Sequence, residues 1–198
     1  MAAAPDFKDR CGNWVKTFNF NGKHCYTLSG RRWYNMMSRT NPLGAYQQDK
    51  SSYVGVTSEF ISFQSFVDWS LAQHGYDESK WHLDKDLLIK GNKSYSEYTC
   101  LFLPQELNSF ISFPKANRGW LPLGVYWKER IHRFVANSKC PLTGIYKHLG
   151  VFNSKESAFL AYKSFKEGNA KVLATKWRDK IDPRAYEALM SYQVEITD

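Results

Sequence analysis

Leu121-Pro122-Leu123-Gly124-Val125-Tyr126-Trp127, Arg133-Phe134-Val135-Ala136-Asn137-Ser138 and Ile145-Tyr146-Lys147-His148-Leu149-Gly150-Val151-Phe152 are three short runs rich in β-branched and aromatic residues. Such runs read as strands. Pro141 and Gly144 punctuate the link between the second and third, which marks a turn. Asn153 then opens a helical run, with Glu156 three residues on in the spacing of a capping box. Ala158, Phe159, Ala161, Tyr162 and Phe165 share one helical face, and the small alanines let that helix lie close across a sheet. Gly168 is expected to break or kink it before Val172 and Trp177. Residues 120–176 therefore predict a three-stranded antiparallel sheet packed on one helix.

A sheet covered by one helix leaves its other face open, and side chains alternate between the two faces. With Val125, Leu149 and Val151 turned inward, the open face carries Tyr126, Lys128, Asn137, Lys139, Tyr146 and His148. Between Lys115 and Lys180 there are fourteen Lys/Arg against four Asp/Glu, a net +10, whereas the whole chain is only +8. Charge concentrated this way, with aromatic residues interleaved, favours a polyanion over an ordinary lysine-bearing surface. Lysines neutralise phosphate, and amide, hydroxyl and imidazole groups reach base edges in the major groove, which admits a narrow sheet.

Outward from this unit the signals change. The chain has 198 residues, 43% hydrophobic and 16% aromatic, which is enough to build a core and argues against disorder. No apolar run approaches membrane-spanning length, and Met1-Ala2-Ala3-Ala4-Pro5 lacks the order of a signal peptide, so a cytoplasmic location is expected. Cys11, Cys25, Cys100 and Cys140 stand apart without a CxxC pair, which predicts buried reduced thiols.

In residues 1–49 aromatics are irregularly spaced, and Arg31 to Met37 reads as a short helix. Its two arginines either touch phosphate or form a solvated pair, the second being favoured. Tyr53-Val54-Gly55-Val56 reads as a strand. Ser62 then caps a helix with Phe63, Phe66, Val67 and Leu71 inward, and Gly75 ends it. Trp81 to Asp84 begins strand-like, Gly91-Asn92 is a hairpin turn signal, and Thr99 to Leu103 is a second strand. Pro104 opens a helix through Leu107, in the first turn where its missing N–H costs nothing. Phe113 to Gly119 reads as a linker. Past Ile181 the chain is acidic, with one short helix from Pro183 to Tyr192. The expected organisation is α+β: a unit over 1–112 with a ββα core at about 81–110, the linker 113–119, the sheet unit 120–176 and a tail 177–198.

Gly124-Val125, Phe134-Val135-Ala136, His148-Leu149-Gly150-Val151-Phe152-Asn153 and Glu156 to Tyr162 together resemble the plant ethylene-response-factor (Apetala-type) DNA-binding domain. That resemblance implies a sheet seated in the major groove, with contacts from Tyr126, Lys128, Asn137, Lys139, Tyr146 and His148. The family's arginines and tryptophan are here Tyr, Asn and His, so its base preference does not carry over. Lys147 stands where the family pattern has a buried apolar residue.

In phage genomes that domain commonly accompanies an HNH nuclease module, and Leu83-Asp84-Lys85-Asp86, Lys90 to Tyr95, Thr99 to Pro104 and Asn108 resemble one. The resemblance implies a ββα (His-Me finger-like) unit and a divalent ion, Mg or Mn, held by Asp84 and Asn108, or by Asp84 with Asp86. In that chemistry a histidine activates water against phosphorus. Here Lys85 occupies the histidine's place and Thr99 that of a structural Asn. A lysine ammonium has no lone pair to take a proton, so Lys85 would steady phosphate. His82, two residues before Asp84, either supplies the base from a shifted position or is a packing histidine, the second being favoured. Taken whole, the chain resembles a phage HNH protein of the homing-endonuclease type. This implies an endonuclease acting on double-stranded DNA in the cytoplasm of an infected bacterial cell, with no membrane and no small-molecule cofactor. The rivals are a non-cleaving DNA-binding regulator, and an effector that binds and inhibits a host protein through its aromatic N-terminal half.

Overall fold

The computed structural model describes residues 4–48, 52–112 and 120–198. The architecture is mixed α+β, divided into two compact units. One comprises Met1–Asn108 with Lys180–Asp182, the other Ser109–Asp179 with Pro183–Asp198. The expected linker, Phe113 to Gly119, lies outside the described residues.

The first unit opens with an antiparallel hairpin, β1 (Thr17–Phe20) and β2 (Lys23–Tyr26), followed by α1 (Leu28–Thr40). Thr27 caps α1, its hydroxyl accepting from the Gly30 amide at 3.1 Å. The arginines on α1 are not a solvated pair. Arg31 is exposed, whereas Arg32 is buried, with its guanidinium 4.3 Å from the Phe102 ring centre. Arg32 also donates to the carbonyls of Tyr76 and Glu78. A planar cation with a fork of donors pins a loop in this way.

Tyr53 to Val56 forms a turn, not the expected strand. Gly55 has φ +74° and reverses the chain. The Gln47 amide closes the turn, donating to Tyr53 O at 2.9 Å and accepting from Gly55 N at 2.9 Å. The strand begins later as β3 (Thr57–Ser58). Helix α2 (Phe63–Leu71) is capped by Ser62 and carries Phe63, Phe66 and Val67 into the core. Leu71 at its end is 45% exposed, against expectation. These side chains pack with Met36, Val56, Phe60, Tyr95 and Cys100.

β4 (Trp81–Asp84) pairs antiparallel with β6 (Leu101–Pro104). Between them β5 (Ser94–Tyr95) pairs parallel with β3. Gly91-Asn92 thus makes a turn, with Asn92 N donating to Ile89 O, but it does not join the paired strands as a hairpin. Pro104 closes β6, and α3 (Gln105–Ile111) follows it.

The second unit is a three-stranded antiparallel sheet, β7 (Val125–Lys128), β8 (Arg133–Lys139) and β9 (Tyr146–Phe152), in that order. Helix α4 (Lys155–Trp177) crosses it, and α5 (Pro183–Met190) packs on α4. Leu123, Val125, Ala136, Ala158, Phe159, Tyr162 and Val194 form the core. The cap of α4 is Ser154, not Asn153, its hydroxyl accepting from Ser157 N at 3.1 Å, so Glu156 closes no capping box. Gly168 does not interrupt α4, which runs 23 residues. One glycine costs only about 1 kcal/mol in a helix and is outweighed by the burial of Ala170, Leu173 and Ala174 beyond it.

Of the four thiols only Cys100 is buried; Cys11 is exposed, and Cys25 and Cys140 are half-buried. No helix among the described residues is long and apolar enough to cross a membrane.

Candidate nucleic-acid interface

Strand pairing defines the face of the β7–β8–β9 sheet opposite α4. Phe134 and Ala136 pack toward the helix, so Arg133, Val135, Asn137 and Lys139 point the other way. Their cross-strand partners share that face. Lys128 lies opposite Arg133, Tyr126 and Val151 opposite Val135, His148 opposite Asn137 and Tyr146 opposite Lys139. All six sequence-derived candidates, Tyr126, Lys128, Asn137, Lys139, Tyr146 and His148, therefore occupy one surface. All are exposed except the half-buried Asn137. Val135 at the centre is fully buried.

Two members were not expected from sequence. Val151 was taken as buried with Leu149, yet it is 48% exposed on the outer face. The register slips between Ala136 and Asn137, which leaves Leu149 unpaired and breaks the strict alternation of β9. Leu149 turns inward and Val151 outward. Arg133 was missed, although its position two residues before Val135 in the same alternation identifies it. Lys147, where an apolar residue was anticipated, leans on α4 with its ammonium 5.4 Å from the Phe165 ring centre. The residue is exposed, so this position buries no charge.

The electrostatics of this face are unbalanced. Lys128 and Arg133 are exposed direct cross-strand partners. Like charges placed opposite one another destabilise a sheet. An anion bridging them removes that penalty. Between the cationic ends the exposed Tyr126 and Val151 flank the buried Val135 and offer apolar surface of the kind that meets a thymine methyl.

The Asp84–Lys85–Asp86 segment is organised differently. Asp84 is 8% exposed, and its Oδ2 accepts from the amides of Asp86 at 2.9 Å and Leu87 at 2.8 Å. Lys85 is 5% exposed, and its Nζ donates to Asp86 Oδ1 at 2.6 Å and to Asn92 O at 2.6 Å. Asn92 returns the clamp, its Nδ2 donating to Lys85 O at 2.8 Å and Ser94 O at 2.6 Å. Asn92, read in the sequence only as part of a turn, holds the loop through its side chain. Its signal was an amide side chain beside Gly91, a residue type that binds nearby backbone. His82 is exposed on β4, opposite Leu103. Desolvation, then the charges of Arg39 and Arg32, hold its pKa below the ordinary value. Asn108 is half-buried on α3.

Asp84 and Asp86 together do not fit a Mg or Mn site. One carboxylate of the pair is neutralised by an ammonium, and the other serves as a turn acceptor. A divalent ion at Asp84 and Asp86 would meet the Lys85 charge at close range. Among the described residues no group of three or more His, Cys, Asp and Glu side chains is placed to hold a metal.

Burial raises the Asp84 pKa from 3.8 to about 6, outweighing the amide hydrogen bonds and the Lys85 charge that lower it. The folded state thus holds this proton more tightly than the unfolded chain does. The stability this confers is complete below the unfolded value of 3.8 and is lost as pH rises through about 6. The first unit should lose on the order of 3 kcal/mol across that window. Asp84→Asn, which keeps the acceptor without the charge, should flatten the dependence of urea midpoints on pH. An unchanged slope would remove Asp84 as its source. The neighbouring Cys100 thiol is pushed up to about 12, chiefly by burial, which leaves it inert.

No protein-family model, curated protein or solved structure matches this chain.

Proposed function

We propose that this chain binds double-stranded DNA through the outer face of the β7–β8–β9 sheet and acts as a DNA-binding regulator rather than a nuclease. One observation carries the reading. Lys128, Arg133, Lys139, Asn137, His148 and two tyrosines converge by strand register on one face opposite α4, with an exposed cation pair at one end. A narrow sheet of this kind enters a major groove, where phosphates answer the cations and base edges answer the amide and imidazole groups.

Three phosphate-contacting cations, Lys128, Arg133 and Lys139, predict a loss of roughly 40-fold in affinity between about 50 and 200 mM salt. Fluorescence anisotropy with a labelled duplex measures it. A flat salt response, or no duplex binding, would sink the proposal.

The second reading is an HNH-type, metal-dependent endonuclease. Its support is the order of elements, the antiparallel pair β4–β6 followed by α3. Against it stand the pairing of the Lys85 ammonium with Asp86 and the use of Asp84 as an acceptor for backbone amides. Supercoiled plasmid incubated with Mg or Mn should stay intact. Nicking that EDTA and Asp84→Ala both abolish would make this second reading the correct one.

A further inference from the structure

The first unit carries a separate aromatic and cationic surface. On the β1–β2 hairpin His24 and Tyr26 lie two residues apart and so share a face, opposite Asn19 and Thr17. Their rings are 5.4 Å apart at 69°. Tyr34, on the first turns of α1, extends the row, 5.4 Å from Tyr26 at 46°. The Arg31 guanidinium stands 5.6 Å from the Tyr26 ring centre. His24, Arg31, Asn19 and Asn35 are exposed, and Tyr34 is 54% exposed. Tyr26 is half-buried, and the three rings belong to neither of the two core clusters described above.

Charge identifies the occupant. From Ala4 to Thr40 there are seven Lys/Arg and two Asp/Glu, whereas from Asn41 to Asn108 there are five and nine. Both acids of the first stretch turn into local structure. Asp6 accepts from Ser29 N at 2.9 Å and from the Tyr76 hydroxyl. Asp9 accepts from Cys11 N at 2.8 Å and Asn13 N at 2.9 Å. Lys8, Arg10, Lys16, Lys23 and Arg31 remain exposed; of these Arg31 stands on the strip, while Lys23, next to His24 on β2, points to the other face of the hairpin.

We infer that His24, Tyr26, Tyr34 and Arg31 form a docking strip for single-stranded nucleic acid. Every base has a π-face, and unpaired bases stack on aromatic rings and guanidinium planes while nearby cations hold the backbone. A paired, stacked duplex hides those faces, so this strip takes a different ligand from the sheet of the second unit. The inference rests on the first unit alone and does not depend on the duplex reading.

The test is anisotropy of the full-length chain with a labelled oligothymidylate single strand and, in parallel, a duplex. Tyr34→Ala should weaken single-strand binding about tenfold, and Tyr34→Phe should retain it, since stacking needs the ring and not the hydroxyl. Arg31→Ala should weaken it and flatten its salt slope, with duplex affinity unchanged for all three. Circular dichroism melts confirm folding; Tyr34 and Arg31 are exposed, so neither change empties a core. The inference is overturned if the wild type does not bind the single strand. It is also overturned if folded Tyr34→Ala and Arg31→Ala bind it as the wild type does, or if Lys128→Ala with Lys139→Ala abolishes single-strand binding. A duplex failure with these results intact would count only against the sheet.

Discussion

Gly124→Ala is expected to unfold the sheet-and-helix unit and to abolish duplex binding with it. Gly124 has φ +72°, and a Cβ placed there would stand 1.9 Å from Cδ2 of Tyr162. Tyr162 is 6% exposed and belongs to the core between α4 and the sheet, so its ring cannot swing away. Left-handed backbone costs a residue with a side chain about 1–2 kcal/mol. Overpacking a closed core adds about 1–3 kcal/mol. The sum, about 2–5 kcal/mol, is a large part of the stability of a small unit. Gly144 supplies the control. Its φ is +70°, yet the nearest atom to a Cβ there is Lys139 Cε at 3.9 Å. Gly144→Ala should therefore cost only the backbone strain. Urea melts of both variants separate strain from collision, and equal losses would contradict the packing described for Tyr162.

The double substitution Lys128→Ala with Lys139→Ala should remove most duplex affinity at low salt while leaving the fold intact. Both lysines are exposed, at opposite ends of the outer face, on β7 and at the end of β8. A charge-assisted hydrogen bond is worth about 1.5–3 kcal/mol, so each lysine should account for about tenfold or more. The salt slope should flatten by about 0.9 for each phosphate left without its cation, evenly across DNA sequences. Asn137→Ala should instead change which sequences bind, because its amide is placed for base edges rather than for phosphate. If the double variant keeps both the wild-type affinity and slope, this face is not the interface. Removing Lys128 also relieves its repulsion from Arg133. The variant should be at least as stable as the wild type, as expected where a surface is maintained for binding and not for folding.

The two candidate sites were legible in the sequence to different degrees. On the sheet, alternation at period two placed Tyr126, Lys128, Asn137, Lys139, Tyr146 and His148 outward, as the structure has them, but passed over Arg133. Its error at Val151 came from the slip at Leu149, because a bulge resets the phase without leaving a residue signature. The Asp84 segment was less legible for a different reason. Two acids around a lysine beside a glycine turn resemble a catalytic set, and sequence proximity cannot say where side chains point. Only the fold shows Lys85 donating to Asp86 and Asn92 while Asp84 bonds the backbone. The same holds for Arg32, which sequence paired with its neighbour Arg31. Helix α1 buries one face and leaves the next position outward, so adjacent arginines meet opposite environments.

By itself the sequence determined what depends on short-range periodicity and on composition. That covers the strand–strand–strand–helix order of the second unit, the apolar face of α2, and the concentration of positive charge between Lys115 and Lys180. These follow from spacings that any backbone of that class imposes. The tertiary structure decided what depends on residues distant along the chain. It brought Val194 into the core beside Leu123 and set Arg32 against Phe102. It also placed Tyr34 of α1 beside Tyr26 of the hairpin. Burial and desolvation are set by whichever neighbours arrive in space, and no local pattern encodes them.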